Sequence, residues 1–599
     1  MVALVGCGVG VGTAVPTPLA VPGMHGQIYG GQQPIAGSNI QLYATGTTGY
    51  GSSSIPLLNK TVTSDANGNF NITGDYTCPS SSTPVYMYIT GGNPGLTAGT
   101  NNTSIALMGL LGFCGDLTPS TYLVINEMTT VAAVYALAPF MLDATHIGTS
   151  STNVQGLLNA VETSGSLVSI ANGLAPGEAP AVATIPVNEI HTLADILTSC
   201  VNSSGSTSPS SSCGRLFTAA TPAGGTAPTD TIAATLDIAR NPGHNTSSIF
   251  NTVPSNGPFQ PILTSTPADW TIGIQYASPS FQNPSDLAID SQGNAWVLSG
   301  AGANSTVSVL NWSGITASYL QTGNNYAHIA LDVYDDPWLT DTVHSTVMEL
   351  TNSGTRATLN PFSGGGLQGP GALAFDGAGN VWIANNGPTL SKLNANGVAI
   401  SPPGGYSTGG SSAPLSIAID TSGSAWITDL GNNSIEVLGS SGQPIPGAYT
   451  SGGLNGPFAI AIDTTGGAWI ANRGGSSLSR LSSSGEAIAG SAFSGGGLNA
   501  PIGIALDGLD NVWLVNSGSN SVSEFLSSGR PQSALGGYGS ASLTNPYRAA
   551  VDTSGNVWVA NLGAVKAGTG MITQIVGVAA PVVTPQALAV RNNALDQRP

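Results

Sequence analysis

From residue 284 onward, apolar and polar positions recur on a single pattern. In Pro546-Tyr-Arg-Ala-Ala-Val-Asp552-Thr-Ser-Gly555-Asn556-Val-Trp558-Val-Ala-Asn561 the apolar runs predict a strand, a tight turn and a second strand. The Asp side chain can accept backbone N–H bonds across that turn, and the Gly supplies a positive φ. Seven tryptophans mark the second strand: Trp296, Trp338, Trp382, Trp426, Trp469, Trp513 and Trp558, spaced 42 to 45 residues apart. Each lies six residues after an Asp, namely Asp290, Asp332, Asp376, Asp420, Asp463, Asp507 and Asp552. A third strand ends in Leu or Phe before a polar turn and Gly, as in Leu393 to Gly397 and Leu481 to Gly485. With a fourth strand in the remaining Gly-rich stretch, each repeat makes one four-stranded blade of a β-propeller.

The pattern predicts a propeller over residues 268–577 with seven blades, a six-bladed ring with an appended unit being the alternative. Tyr276-Ala-Ser-Pro-Ser-Phe-Gln-Asn-Pro284 aligns without a gap with Tyr538-Gly-Ser-Ala-Ser-Leu-Thr-Asn-Pro546. The segment from Trp270 to Tyr276 is therefore expected to be the outer strand of the last blade, supplied from the N-terminal side. After Gly577 the chain reads as a tail, residues 578–599.

Residues 24–95 alternate apolar and polar positions between turns, as in Asn39-Ile-Gln-Leu-Tyr43 and Val85-Tyr-Met-Tyr-Ile89, which is half-buried antiparallel strand chemistry. Residues 96–257 change to a 3.6-residue period, with helices expected over Glu127–Leu142, Asn153–Ala171, Val187–Cys200 and Asp230–Arg240. Asn126 and Thr229 are the expected N-caps, and Gly205 to Ser212 reads as a polar loop. The fold class is mainly β: a small N-terminal β-sandwich, a helical middle region and a C-terminal propeller.

Composition narrows the partners. Charged residues make up only 7% of the chain, so Ser, Thr, Asn and Gly must solvate most of the surface. A net charge of -18 opposes attraction to phosphate backbones and anionic headgroups, and nucleic acid is excluded as a partner. No apolar run is long enough to span a membrane. Leu4-Val-Gly-Cys7 in residues 1–23 resembles a bacterial lipobox, which implies lipidation at Cys7 as the membrane link; a Gly/Val-rich tail with a chance Cys is the alternative. The other four cysteines fall in two sequence-local pairs, Cys78 with Cys114 and Cys200 with Cys213, one of the three pairings open to four cysteines. Disulfides there would place the protein outside the cytoplasm, on the cell surface or in the periplasm; reduced thiols are the alternative.

The Asp-turn-Trp repeat resembles the NHL family and, more loosely, the virginiamycin B lyase-like propellers. Gly31 to Ser38 and Thr63 to Phe70 resemble the carboxypeptidase regulatory-like (transthyretin-like) β-sandwich, which implies a spacer rather than a catalytic unit. The lyase-like family implies a His/Glu pair with magnesium. Its second-strand Glu is replaced here by Asn or Asp, which counts against that activity.

Candidate chemistry lies at one end of the propeller. The residues three after each Trp, Ser299, Asp341, Asn385, Asp429, Asn472, Asn516 and Asn561, are expected on the ligand face; strand-end capping is their other reading. In the second repeat, His328, Asp341 and His344 fall near that end and offer ligands for a divalent metal, the one cofactor suggested. Asp332, Asp335 and Asp336 form an acidic turn at the opposite end, suited to a hard cation. Glu349, Lys392, Arg480 and Glu524 share one third-strand position and are expected on a solvated face. No G-x-S-x-G, H-E-x-x-H or phosphate-cradling loop occurs. The expected function is an exported or surface-anchored binding protein whose propeller engages a protein or polysaccharide. The alternative is a metal-dependent lyase or lactone hydrolase of the virginiamycin B lyase-like or gluconolactonase-like type.

Overall fold

The computed structural model describes residues 19–20, 23–74, 76–300, 304–322, 325–355, 361–410, 414–447, 449–539, 543–563 and 570–599. Cys7 lies outside them.

Two small sheets open the chain. In one, β1 (Met24–Gly30) pairs with 69–72 and, in parallel, with 122–125; in the other, β2 (Asn39–Ala44), β3 (Pro84–Thr90) and β4 (Ala106–Phe113) run antiparallel. Their alternating apolar side chains, among them Ile28, Leu42, Phe70, Met87 and Leu107, meet in one core. The helices follow as α1 (Glu127–Leu137), α2 (Val154–Leu167), α3 (Val187–Val201), α4 (Ser212–Ala220) and α5 (Thr231–Arg240). Asn126 caps α1 in a capping box with Thr129, as its short polar side chain predicts. The cap of α5 is Asp230, one residue later than expected, because its carboxylate reaches the Ala233 N–H. Helix α4 lies just past the polar loop, where no helix was expected.

Every residue of α1 is buried, which explains its lack of a polar stripe: α2, α3, α5 and β4 all touch it. The core around it continues without a break into Trp270, Ile274, Tyr276, Leu287, Val297 and Trp558. Tyr135 donates its hydroxyl to the Trp270 carbonyl at 2.9 Å. The chain at Gly577, with φ +63, passes so close to Tyr135 that a Cβ would strike the tyrosine carbonyl.

Disulfides join Cys78 to Cys114 and Cys200 to Cys213, with Cα separations of 6.1 and 4.4 Å. They point to an oxidising compartment outside the cytoplasm. Among the described residues no helix is long and apolar enough to cross a membrane. The Cys200–Cys213 bond ties the end of α3 to the start of α4 across a separation of 13 residues. Removing it by a paired Cys→Ser change is expected to cost about 3 kcal/mol through the freed loop. Denaturant unfolding checks this; an unchanged midpoint would refute it.

The repeats form seven successive antiparallel sheets among the described residues. Their first strands are β6 (Pro284–Ile289), β7 (Tyr326–Leu331), β8 (Leu373–Phe375), β9 (Pro414–Ile419), β10 (Pro457–Ile462), β11 (Pro501–Leu506) and β12 (Pro546–Val551). Each touches the next, and β12 returns to β6, so these strands form a closed inner ring. The seam is made by β5 (Gly273–Ala277), which pairs antiparallel with β13 (Met571–Ile575), matching Gly273 to Ile575 and Ala277 to Met571. A further short strand at 183–184 extends this sheet.

Each Trp is buried and packs, stacked or tilted, on an aromatic farther out in its sheet: Tyr319, Phe362, Tyr406, Tyr449, Phe493 and Tyr538 in turn, and Tyr276 on Trp558 across the seam. The next blade's turn glycine makes room for that ring: a Cβ at Gly442 would enter Tyr406, and one at Gly485 would enter Tyr449. In six sheets the Asp that precedes each Trp accepts the indole N–H at 2.8 to 3.3 Å. The other carboxylate oxygen takes turn N–H groups, as at Asp552.

The shared third-strand position is not a solvated face. Lys392 and Glu524 are buried; Lys392 Nζ meets Asp376 at 2.9 Å and lies 4.3 Å from the Trp382 ring centroid. Arg480 repeats the arrangement with Asp463 and Trp469. A blade is covered on both flat faces by its neighbours, so both sets of alternating side chains turn inward.

Candidate active site at the mouth of the propeller channel

The inner ring surrounds a cavity of about 260 Å³. One end is occupied by the segment read as a tail. Residues 582–587 and 589–590, with Leu595 and Asp596, line it, partly through α6 (Gln586–Arg591). Thr584 Oγ1 donates to the Asp290 carbonyl at 2.6 Å and the Ala580 N–H to Asp507 at 3.1 Å, so the segment is fastened at the Asp-turn end.

The opposite end carries the polar groups. Four residues before each repeat Asp stand Asp286, His328, Ala372, Ser416, Ala459, Gly503 and Arg548, and all of them line the cavity. In six of the seven inner strands the ladder shifts register in this region, for example between Pro284 and Asp286 and between Pro546 and Arg548. Such bulges re-aim side chains. In two of these strands a second-strand hydroxyl takes the displaced N–H: Thr340 from His328 and Thr428 from Ser416.

Only three members of the column ionise, and they occupy neighbouring blades. His328 Nδ1 lies 3.1 Å from Asp286 Oδ2, which also accepts the Ile329 N–H at 3.0 Å. Arg548 Nε lies 3.9 Å from Asp286 Oδ1, and its Nη1 donates to the Ile502 carbonyl at 2.9 Å. The guanidinium sits 4.7 Å from the Tyr547 ring centroid. All three side chains are largely buried yet reach the cavity, at 10 to 20% exposure. A carboxylate holding an imidazole through Nδ1 fixes its orientation and leaves Nε2 for a ligand or a proton. Arg548 retains N–H donors beyond the one given to Ile502.

The residues three after each Trp are placed differently. Ser299, Asp341, Asn385, Asp429, Asn472, Asn516 and Asn561 are all at most 2% exposed. Asn472 accepts the Asn455 N–H and donates to Ser477 and Ser479; Asn516 and Asn385 repeat this with Asn499, Ser521 and Ser523, and with Gln368, Thr389 and Ser391. Asn561 likewise accepts the Thr544 N–H, and Asp429 accepts from Gly431 and Asn432. Ser299 Oγ has no partner among the described residues. The Asn and Asp bonds are those of strand-end caps.

The proposed metal ligands divide between two carboxylates. His344 Nδ1 lies 2.7 Å from Asp341, whereas His328 is held by Asp286. Among the described residues the only carboxylate, His or Cys trio with ligand atoms within 4.8 Å of one another is Asp332, Asp336 and Glu349, at the turn end. Asp335 instead binds the Ser291 N–H and hydroxyl of the adjoining blade.

No family model matches the chain, and no curated protein matches it. Among solved structures, selenomethionine-substituted virginiamycin B lyase from Staphylococcus aureus is 17% identical, with a TM-score of 0.41 over 49% of this chain and 94% of its own. A streptogramin B lyase structure is 18% identical over 50% and 97%, also with a TM-score of 0.41. A functionally unknown protein from Desulfotomaculum acetoxidans is 16% identical over 45% and 92%, with a TM-score of 0.35. These likenesses concern fold and say nothing of activity.

Proposed function

We propose that this is an exported binding protein whose propeller takes a carboxylate-bearing ligand at the mouth of the channel. One observation carries the reading: Asp286, His328 and Arg548 stand side by side in a column otherwise made of Ala, Ser and Gly. Arg548 supplies the fork of N–H donors that matches a carboxylate, and the aromatic ring beneath holds it in place. Small neighbours leave room for the ligand, and the cavity size limits the inserted group to about one residue or sugar ring. The N-terminal sheets serve as a spacer of carboxypeptidase regulatory-like type, and Cys7 as a lipid anchor.

A second reading rests on the Asp286–His328 pair. An imidazole oriented by a carboxylate is equipped to move a proton, so the same mouth suits a lyase or lactone hydrolase. Calorimetric titration with uronic-acid oligosaccharides and with peptides bearing free C-terminal carboxylates, followed by product analysis with and without EDTA, separates the readings. Binding that weakens at least tenfold in Arg548→Gln, without turnover, is the expected result. Turnover abolished in His328→Gln while binding persists would replace the first reading with the second. Failure of every carboxylate ligand to bind would dismiss the first.

A further inference from the structure

A second cavity, of about 280 Å³, lies away from the channel, between β4, α1, α2 and the hairpin turn Asn311–Gly314 of the first blade. Its floor is apolar: Leu110, Phe113, Ala132, Val161, Val168 and Ile170. Trp312 forms one wall. Of the nine tryptophans in the chain, the other eight are buried, whereas Trp312 is 39% exposed. The same indole also borders an adjoining pocket of about 150 Å³ lined by Gln155, Asn159 and Asn311.

The charge at the cavity has one sign. Asp116, Glu162 and Glu178 line it, and no Lys, Arg or His does. None of these three carboxylates has a hydrogen-bond or ion-pair partner on a side chain or backbone among the described residues. Glu162 is half-buried, and burial followed by repulsion from Asp116 and Glu178 pushes its carboxyl above the ordinary range. Like charges held at an apolar cavity raise the free energy of the empty site, and a cation relieves it. An inorganic cation would leave the apolar floor wet, and a neutral apolar molecule would leave the carboxylates uncompensated. An indole face beside carboxylates is a favourable setting for an organic ammonium group.

We propose that this cavity binds a small organic cation with an apolar body, an alkylammonium, whose charged head sits between Trp312 and Glu162 while its chain covers the apolar floor. The proposal is independent of the channel-mouth reading, since the two sites share no residue.

The test uses the full disulfide-bonded chain with n-hexylammonium, 1-hexanol, hexanoate and Ca²⁺ as probes. Acrylamide should quench a minor, exposed tryptophan component, and n-hexylammonium should protect it, with saturable binding by calorimetry. Glu162→Gln and Trp312→Ala should each weaken binding at least fivefold. Glu178→Gln, at an exposed position that folding does not depend on, should weaken it about twofold. Equal binding of 1-hexanol would overturn the proposal in favour of simple apolar uptake. Displacement by micromolar Ca²⁺ would overturn it in favour of a metal site. Absence of binding to about 10 mM, or affinity unchanged in all three variants, would also refute it.

Discussion

Replacing Ile274 and Tyr276 together by alanine is expected to destabilise the chain by about 5 to 8 kcal/mol and to split its unfolding into two transitions. Ile274 and Tyr276 are both buried in β5, the strand that completes the sheet of the last blade. Tyr276 stacks on Trp558 at 5.8 Å and donates its hydroxyl to Gln574 at 2.9 Å. Its loss therefore removes an aromatic pair and leaves a buried amide unpaired. A propeller blade gains its stability from its neighbours, so an open seam lets the ring fray from both ends. Trp469→Ala, in a middle blade, is the control: it should cost about 3 to 5 kcal/mol by cavity formation and leave one cooperative transition. Guanidinium unfolding followed by circular dichroism reads both quantities. A double variant that unfolds in one step at the parental midpoint would show that the seam does not hold the ring.

The second large effect is on pH. Several carboxyls are pushed up by burial: Glu524 to about 8, Glu127 to about 7, Asp195 and Asp237 to about 6. Glu524 faces the Tyr538 hydroxyl at 2.8 Å, with Asp507 and Arg530 nearby. A carboxyl raised in the folded state binds its proton more tightly there than in the unfolded chain. Its stabilising contribution is full below the unfolded value, near 4 to 4.5, and is lost as pH rises through the folded value. The melting temperature should therefore fall steadily between about pH 5 and pH 8. For Glu524 alone the loss is on the order of 5 kcal/mol. Glu524→Gln keeps an acceptor for Tyr538, so it should flatten the profile and melt higher than the parent at pH 8. Asp376 runs the other way: its burial is outweighed by Lys392 and Asn380, which hold its carboxyl low, so it bears on pH below about 4. A melting temperature that is flat or rises toward pH 8 would refute the prediction.

The blades were legible because their chemistry repeats. Asp, Gly and Trp at fixed offsets each do a local job, and seven copies expose the offsets. The seam was legible for the same reason, since the segment from Tyr276 to Pro284 repeats the one from Tyr538 to Pro546 and so places the strand before Tyr276. Helix α4 and the channel-closing segment were not, because their short apolar stretches gain order from tertiary packing rather than from their own periodicity. Lys392 and Glu524 looked solvated because alternation separates inside from outside only when one face of a sheet meets water. The site column was present as Asp286, His328 and Arg548, four before each repeat Asp. Asn472 and its equivalents carry amides that look like ligand groups but close strand ends. The inward aim of the Asp286, His328 and Arg548 column depends on bulges, which alternation alone does not reveal.

The segment fastened by Thr584 and Ala580 turns the central passage into a blind well. A polymer cannot be threaded through a well and gripped at any point along its length; it can only be read where it stops. If the propeller binds a polymer as proposed, the main chain enters past Arg548 by an end, so the molecule would count ends rather than bulk. Shortening a polymer at constant mass would raise the number of occupied copies in proportion to the ends created.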